Sequence, residues 1–92
     1  MTTQLPNGAT IYKRRTFAAG EIPAGLLAAH SLRAGTWGRL TLLTGSLTYV
    51  DEPTGARTDL SPGDTHLIEP TRLHHIEPGE DASIEIAFAR MA

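Results

Sequence analysis

The amino-acid sequence predicts an all-β domain of roughly seven to nine short strands, arranged as a sandwich, a jelly roll or a small barrel. Two observations carry this prediction. Nine glycines and six prolines interrupt the 92 residues at short intervals, which favours short strands over long helices. Between these residues, several segments alternate apolar and polar side chains, the pattern of a strand with one buried face.

The first segment that needs interpretation is 21–30. Leu26 and the three residues after it could form a helix, but Pro23 and Gly25 come just before them. Since proline and glycine disfavour helix interiors, we predict an extended segment here.

The middle of the chain shows the clearest alternation. Arg39–Leu42 alternates, Gly45-Ser46 predicts a turn, and Leu47–Tyr49 alternates again. Two alternating runs around a glycine-containing turn are typical of a β-hairpin, so we predict that they pair with each other.

The second half of the chain continues the strand pattern. Asp51–Ala56 predicts a hairpin loop, and Ser61–Asp64 predicts a tight turn before a strand over Thr65–Ile68. In the last strand, Ile84, Ile86 and Phe88 share one face. This apolar terminal strand, in so small a domain, predicts that two copies pair or pack as a homodimer.

The composition excludes several classes of protein. Residues 1–92 are short enough for a single domain, and the absence of cysteine excludes disulfides and thiolate metal sites. The formal charge of −2 gives no basic surplus for nucleic acid. No apolar run approaches the length of a membrane span, and the N-terminus lacks the pattern of a signal peptide. We therefore expect a cytoplasmic protein that binds neither nucleic acid nor membranes.

Two histidines are the leading functional residues. Strand alternation places His30 on the face of Leu32 and His74 on the face of Ile76, whereas His75 falls on the opposite face with Glu77. Neutral imidazole is the commonest protein ligand for transition metals, so two inward histidines predict a divalent metal site with Zn, Fe, Mn or Ni. The alternative is that each ring only hydrogen-bonds to the backbone.

His66 and Glu69 are the candidates for completing the metal shell. His66 shares a face with Ile68 and Glu69 with Leu67, so alternation does not decide which of the two points inward. Two histidines and one carboxylate form the facial set of non-haem iron sites. The alternative is that both residues are solvated at the rim.

Four further residues are predicted to line a pocket: Trp37, Arg39, Tyr49 and Phe88. Trp37 either lines a pocket mouth or packs on the end of the barrel. Arg39 is either a surface residue or an anchor for an anionic ligand. No sequence pattern indicates a serine or cysteine nucleophile or a phosphate-binding loop.

The chain resembles a cupin. Gly63–His74 follows the second cupin motif, in which a Gly-Asp turn, a strand and a proline precede a histidine, and Leu42–Thr48 resembles the end of the first motif. It is more closely similar to the tellurite-resistance TehB/YeaR-like family of small cupins. The matching segments are Tyr12-Lys13, Pro23–Leu26, His30, Gly35–Leu40, Gly45–Tyr49, Glu69-Pro70 and His74–Glu77.

The resemblance implies a cupin-type jelly-roll barrel, often dimeric, with His30 and His74 as the pocket histidines. It also implies a context of tellurite resistance or nitrosative stress. One departure stands out: the first cupin motif normally supplies His-x-His and a glutamate, and Gly35–Gly38 supplies none of them.

Three functional hypotheses follow. The first is a metal-binding cupin that holds a divalent ion through His30 and His74 together with a small ligand or oxyanion. The second is a metal-dependent enzyme, of the dioxygenase or isomerase type, in which open metal positions activate the substrate. The third is a metal-free binding module whose histidines only form hydrogen bonds.

Overall fold

The computed structural model describes residues 4–91. In this range the chain forms seven strands and one short helix, which confirms the predicted all-β class. In chain order they are β1 (Ala9–Phe17), α1 (Ala24–Leu27), β2 (Thr36–Thr44), β3 (Leu47–Asp51), β4 (Arg57–Leu60), β5 (Thr65–Ile68), β6 (His74–Pro78) and β7 (Ser83–Met91).

The described strands form two antiparallel sheets. One has the order β1-β7-β2-β5 and the other the order β4-β3-β6. The inner faces of both sheets supply one hydrophobic core, because the alternating apolar residues of each strand turn to the same side. The core consists of Leu40, Leu42, Leu47, Tyr49, Leu60, Ile68, Ile76, Ala82, Ile84 and Ile86. Within residues 4–91 the two sheets do not join into a closed barrel. The edge strands are β1 and β5 in the first sheet and β4 and β6 in the second.

The predicted hairpin between β2 and β3 is wrong. β2 pairs with β5 and β7, whereas β3 pairs with β4 and β6, so the turn at Gly45-Ser46 carries the chain from one sheet to the other. Gly45 has a φ of +80°, and a Cβ there would lie 2.6 Å from the carbonyl carbon of Asp81. The chain can therefore cross at this point only with glycine.

The prediction of an extended segment over 21–30 is also wrong, because Ala24–Leu27 forms one helical turn. The amide of Leu26 donates a hydrogen bond to the carbonyl oxygen of Pro23 at 3.0 Å. Proline is compatible with this position, because the first amides of a helix have no hydrogen-bond partner within the helix. The turn brings the partly buried side chain of Leu26 against the core.

The two predicted turns are confirmed. Asp51–Ala56 joins β3 to β4, and the amide of Asp51 donates to the carbonyl of Ala56 at 2.9 Å. In the Ser61–Asp64 turn, the amide of Asp64 donates to the carbonyl of Ser61 at 2.9 Å, and the Asp64 carboxylate accepts from the Ser61 amide.

The terminal strand β7 presents Ile84 and Ile86 to the core, as predicted. It pairs with β1 on one side and β2 on the other, so both of its edges are used within the chain. A homodimer, which stays a prediction, would therefore have to form through another surface. No helix in residues 4–91 has the length and hydropathy needed to span a membrane.

Candidate functional site

His30 and His74 meet in the interior, as strand alternation predicts. They are direct partners in an isolated antiparallel bridge, in which each amide donates to the other's carbonyl at 2.9 and 2.8 Å. Partners in such a bridge place their side chains on the same face. The two imidazole centroids are accordingly 4.1 Å apart, with an edge-to-face angle of 61°, and His74 is only 2% exposed.

The two rings have the same hydrogen-bond arrangement. Nδ1 of His30 donates to the carbonyl of Ala28, and Nδ1 of His74 donates to the carbonyl of Arg72, each at 3.0 Å. A ring whose Nδ1 carries the proton keeps a free lone pair on Nε2. Burial lowers the pKa of His74, which favours the neutral, lone-pair-bearing form.

A cavity of about 70 Å³ adjoins the two rings, and we call it the histidine chamber. No carboxylate or cation from residues 4–91 borders it. Apart from the two histidines its lining is apolar and consists of Leu26, Leu32, Leu40, Ile68, Ile76, Ile86 and Phe88. Phe88 is part of this lining, and its role as a ligand-binding residue stays a prediction.

Tyr49, another predicted pocket residue, separates the histidine chamber from a second cavity. Tyr49 is 5% exposed, and its ring stacks on His74 with centroids 5.2 Å apart. The centroids of the Tyr49 and His66 rings are 3.9 Å apart. His66 is half-buried on the inner face, because it lies opposite Leu40 in the sheet. Burial lowers the pKa of His66, so this imidazole too is favoured in its neutral form.

The second cavity, which we call the cleft, has a volume of about 350 Å³ and is lined by residues of β3 and β4 from one sheet and of β5 from the other. Its lining is Tyr49, Asp51, Thr54, Ala56, Thr58, His66, Leu67, Glu69 and Arg72. Glu69 is exposed and lines this cleft, not the histidine chamber.

An ion pair that the sequence analysis missed borders the cleft. Arg72 donates to both carboxylate oxygens of Asp51, from Nε at 2.6 Å and from Nη2 at 2.8 Å. These hydrogen bonds, joined by one from Thr54, hold the pKa of Asp51 well below its usual range. The residues are 21 positions apart, and no local pattern signals that they pair.

The predicted four-residue metal set is not assembled in the described part of the chain. There, no three side chains among His, Asp and Glu come together in a group that could hold an ion. His30 and His74 meet, whereas His66 contacts the Tyr49 ring and Glu69 stands at the cleft.

Trp37 and Arg39 do not line the histidine chamber. They alternate with the buried Gly38 and Leu40, so their side chains lie on the outer face of the sheet. Trp37 borders a third cavity beside Leu5 and Pro6, and His66 and Glu69 line this cavity too. Arg39 therefore matches the surface alternative, and it borders another cavity with Thr41 and Thr65. A role for Arg39 in binding a ligand stays a prediction.

His75 lies on the outer face of its sheet, as alternation predicts, but it is not free in solvent. Its side chain is 18% exposed, Nδ1 is bonded to Glu52, and Nε2 is 2.8 Å from a carboxylate oxygen of Glu77. Arg57 pairs with Glu77 in turn. Hydrogen bonds to Glu77 and Glu52 raise the pKa of His75.

Two solved structures of other proteins superpose on this fold. The crystal structure of TehB from Haemophilus influenzae superposes with a TM-score of 0.81 and 26% identity, over 92% of this chain and 32% of that one. This chain thus spans about a third of the TehB it matches. The structure of a protein from E. coli strain K12 superposes over 97% of both chains, with a TM-score of 0.86 and 19% identity, and this likeness shows the fold alone.

A search of curated proteins by sequence gives no match. The model of the TehB-like domain matches residues 13–86, which include every strand from β2 to β6 and both interior histidines. The chain therefore belongs to the TehB-like domain family.

Proposed function

We propose that this TehB-like domain binds a divalent metal ion through Nε2 of His30 and Nε2 of His74. The observation that carries the proposal is the shared hydrogen-bond arrangement of the two rings. Each Nδ1 is tied to a backbone carbonyl, as is usual for metal-bound histidines, because that bond sets the tautomer and the ring orientation.

The two rings lie close to the spacing that a shared ion needs. With metal–nitrogen bonds of about 2.1 Å, two imidazoles in adjacent positions on one ion have centroids roughly 4.6–5.3 Å apart. The observed separation is 4.1 Å, so the rings would have to move apart by roughly half an ångström or more to bind one ion. Burial favours the neutral form of His74, so protons compete less with the metal there.

The rest of the shell would come from solution. The chamber offers no carboxylate, and His66 and Glu69 line the cleft instead. Two neutral imidazoles leave the charge of a divalent ion uncompensated in an apolar interior, which is unfavourable. A small anionic ligand would supply the missing charge, so we propose that a small oxyanion binds together with the metal.

The architecture proposed for this site is a cupin-type jelly roll, since two facing sheets enclose a pair of inward histidines. The proposed context is tellurite resistance, through membership in the TehB-like family and similarity to TehB of H. influenzae.

The test is metal binding by tag-free protein, measured by calorimetry with Zn²⁺, Mn²⁺, Fe²⁺ and Ni²⁺. We expect about one ion per chain and loss of binding in His74→Ala. His75→Ala is the matched control, because the neighbouring ring lies on the outer face, and it should bind like the wild type.

Metal binding should also raise the melting temperature. An ion at 100 times its dissociation constant contributes about 2.7 kcal/mol, which corresponds to roughly 10–20 °C in a domain of this size. If His74→Ala is folded by circular dichroism and still binds the metal as tightly as the wild type, the proposal is wrong. Equal losses in both variants would make His75 a ligand and also contradict the site proposed here.

A further inference from the structure

We propose that the cleft between β4 and β5 is a second binding site, separate from the metal site, for a small organic molecule that carries a protonated amine on an apolar body. The cleft opens where the two sheets separate, so it is reached from solvent without disturbing the core. Its volume of about 350 Å³ is at the lower end of the range of small-molecule sites, about 300–1,000 Å³.

The charges around the cleft select a cation. Asp51 and Arg72 cancel each other, because both carboxylate oxygens of Asp51 accept from the one guanidinium. Glu69 is left with a negative charge, and its carboxylate makes no hydrogen bond or close ion pair with any residue in 4–91. The cleft therefore has a net charge of about −1 and one carboxylate ready to accept from an ammonium group.

The ring of His66 leaves that negative charge in place. Burial favours neutral His66, so its imidazole does not offset Glu69. An anionic ligand would meet two carboxylates and a guanidinium that is already paired, which makes it the less favourable occupant.

The walls of the cleft determine the rest of the ligand. Leu67 and Ala56 are apolar, and the rings of Tyr49 and His66 form the floor. A cation on an aromatic or aliphatic body matches this lining, since the body covers apolar surface while the ammonium reaches Glu69.

The experiment is an NMR titration with three probes that share one ring: benzylamine, which is protonated at pH 7, benzyl alcohol and benzoate. We expect benzylamine to shift the ring signals of His66 and Tyr49 and to bind most tightly, and benzoate to bind most weakly. Glu69→Gln should weaken benzylamine binding about tenfold, because a charge-assisted hydrogen bond is lost. Glu69 is exposed, so the variant should fold, which circular dichroism would verify.

Glu80→Gln is the matched control, since it removes an exposed carboxylate that does not line the cleft, and it should not change the affinity. Benzoate binding as tightly as benzylamine, an unchanged affinity in Glu69→Gln, or no binding by any probe would each overturn the proposal. The two sites can fail separately. If metal binding is lost in His74→Ala while benzylamine still binds, both proposals are supported; if only the metal fails to bind the wild type, only the metal site is wrong.

Discussion

The histidine chamber and the cleft differ although a single side chain, Tyr49, divides them. The chamber has about 70 Å³, an apolar lining and two imidazoles with free lone pairs. The cleft has about 350 Å³, an ion pair and a carboxylate, Glu69, that forms no ion pair with residues 4–91. Histidine occurs in both, yet only in the chamber are two rings held side by side. The residues around a histidine, and not the imidazole alone, therefore determine what it can bind.

The largest loss of stability is expected when the ring of Tyr49, which separates the two cavities, is removed. Tyr49→Ala deletes a ring that is 5% exposed and packs on two imidazoles, so we expect a loss of about 3–5 kcal/mol in the free energy of unfolding. Urea denaturation measures it. Tyr12→Ala is the control, because Tyr12 is 44% exposed and its contact with Arg90 is worth about 0.5–1 kcal/mol. Equal losses would show that Tyr49 is not a packed partition.

Adding a methyl group at Gly38, beside the histidine chamber, should have an intermediate effect on the free energy of unfolding. A Cβ at Gly38 would lie 3.1 Å from Cδ1 of Ile68 and 3.2 Å from Cδ1 of Leu32, two residues of the chamber lining. Gly38→Ala should therefore destabilise the fold by about 1–3 kcal/mol. Thermal denaturation checks it against Gly25→Ala, which meets no atom within 4 Å and should stabilise α1 by about 0.5–1 kcal/mol. A neutral Gly38→Ala would mean that the chamber is looser than its lining indicates.

The smallest effect is a pH dependence that distinguishes His75 from the interior histidines. The folded pKa of His75 is raised above 6.5 by Glu77 and Glu52, so protonated His75 stabilises the fold fully below about pH 6.5. That contribution is lost as the pH rises through the pKa that His75 has in the folded protein. Arg57 and His75 lower the pKa of Glu77 to about 2, so its contribution is present above pH 4.5 and is lost as the pH falls towards 2.

The outer-face network should thus be most stabilising between about pH 4.5 and 6.5. His75→Gln should reduce the fall in urea midpoint between pH 6 and pH 8, and Glu80→Gln should leave it unchanged. A wild-type slope that persists in His75→Gln would assign the pH dependence to another group.

Local alternation was sufficient for several features of this protein. It predicts the all-β class, the inward face of β7, and the opposite orientations of His74 and His75, because adjacent side chains of a strand must point to opposite sides. The Ser61–Asp64 turn is equally local. Proline and glycine favour its backbone conformation, and the Asp64 carboxylate accepts a hydrogen bond from the Ser61 amide.

Alternation could not decide features that depend on contacts between distant residues. β2 and β3 are adjacent in sequence but lie in different sheets, because strand pairing follows from the packing of the whole core. His66 and Glu69 each share a face with an apolar residue, and only the pairing of His66 opposite Leu40 places that ring inside.

The sequence by itself determined that the domain is built of strands and that His30 and His74 point inward, since both follow from the geometry of single segments. Only the tertiary structure decided that those two rings meet each other, that Tyr49 separates them from His66, and that Arg72 pairs with Asp51. Each of these contacts joins segments far apart in the chain, and their positions are fixed only when the two sheets pack together.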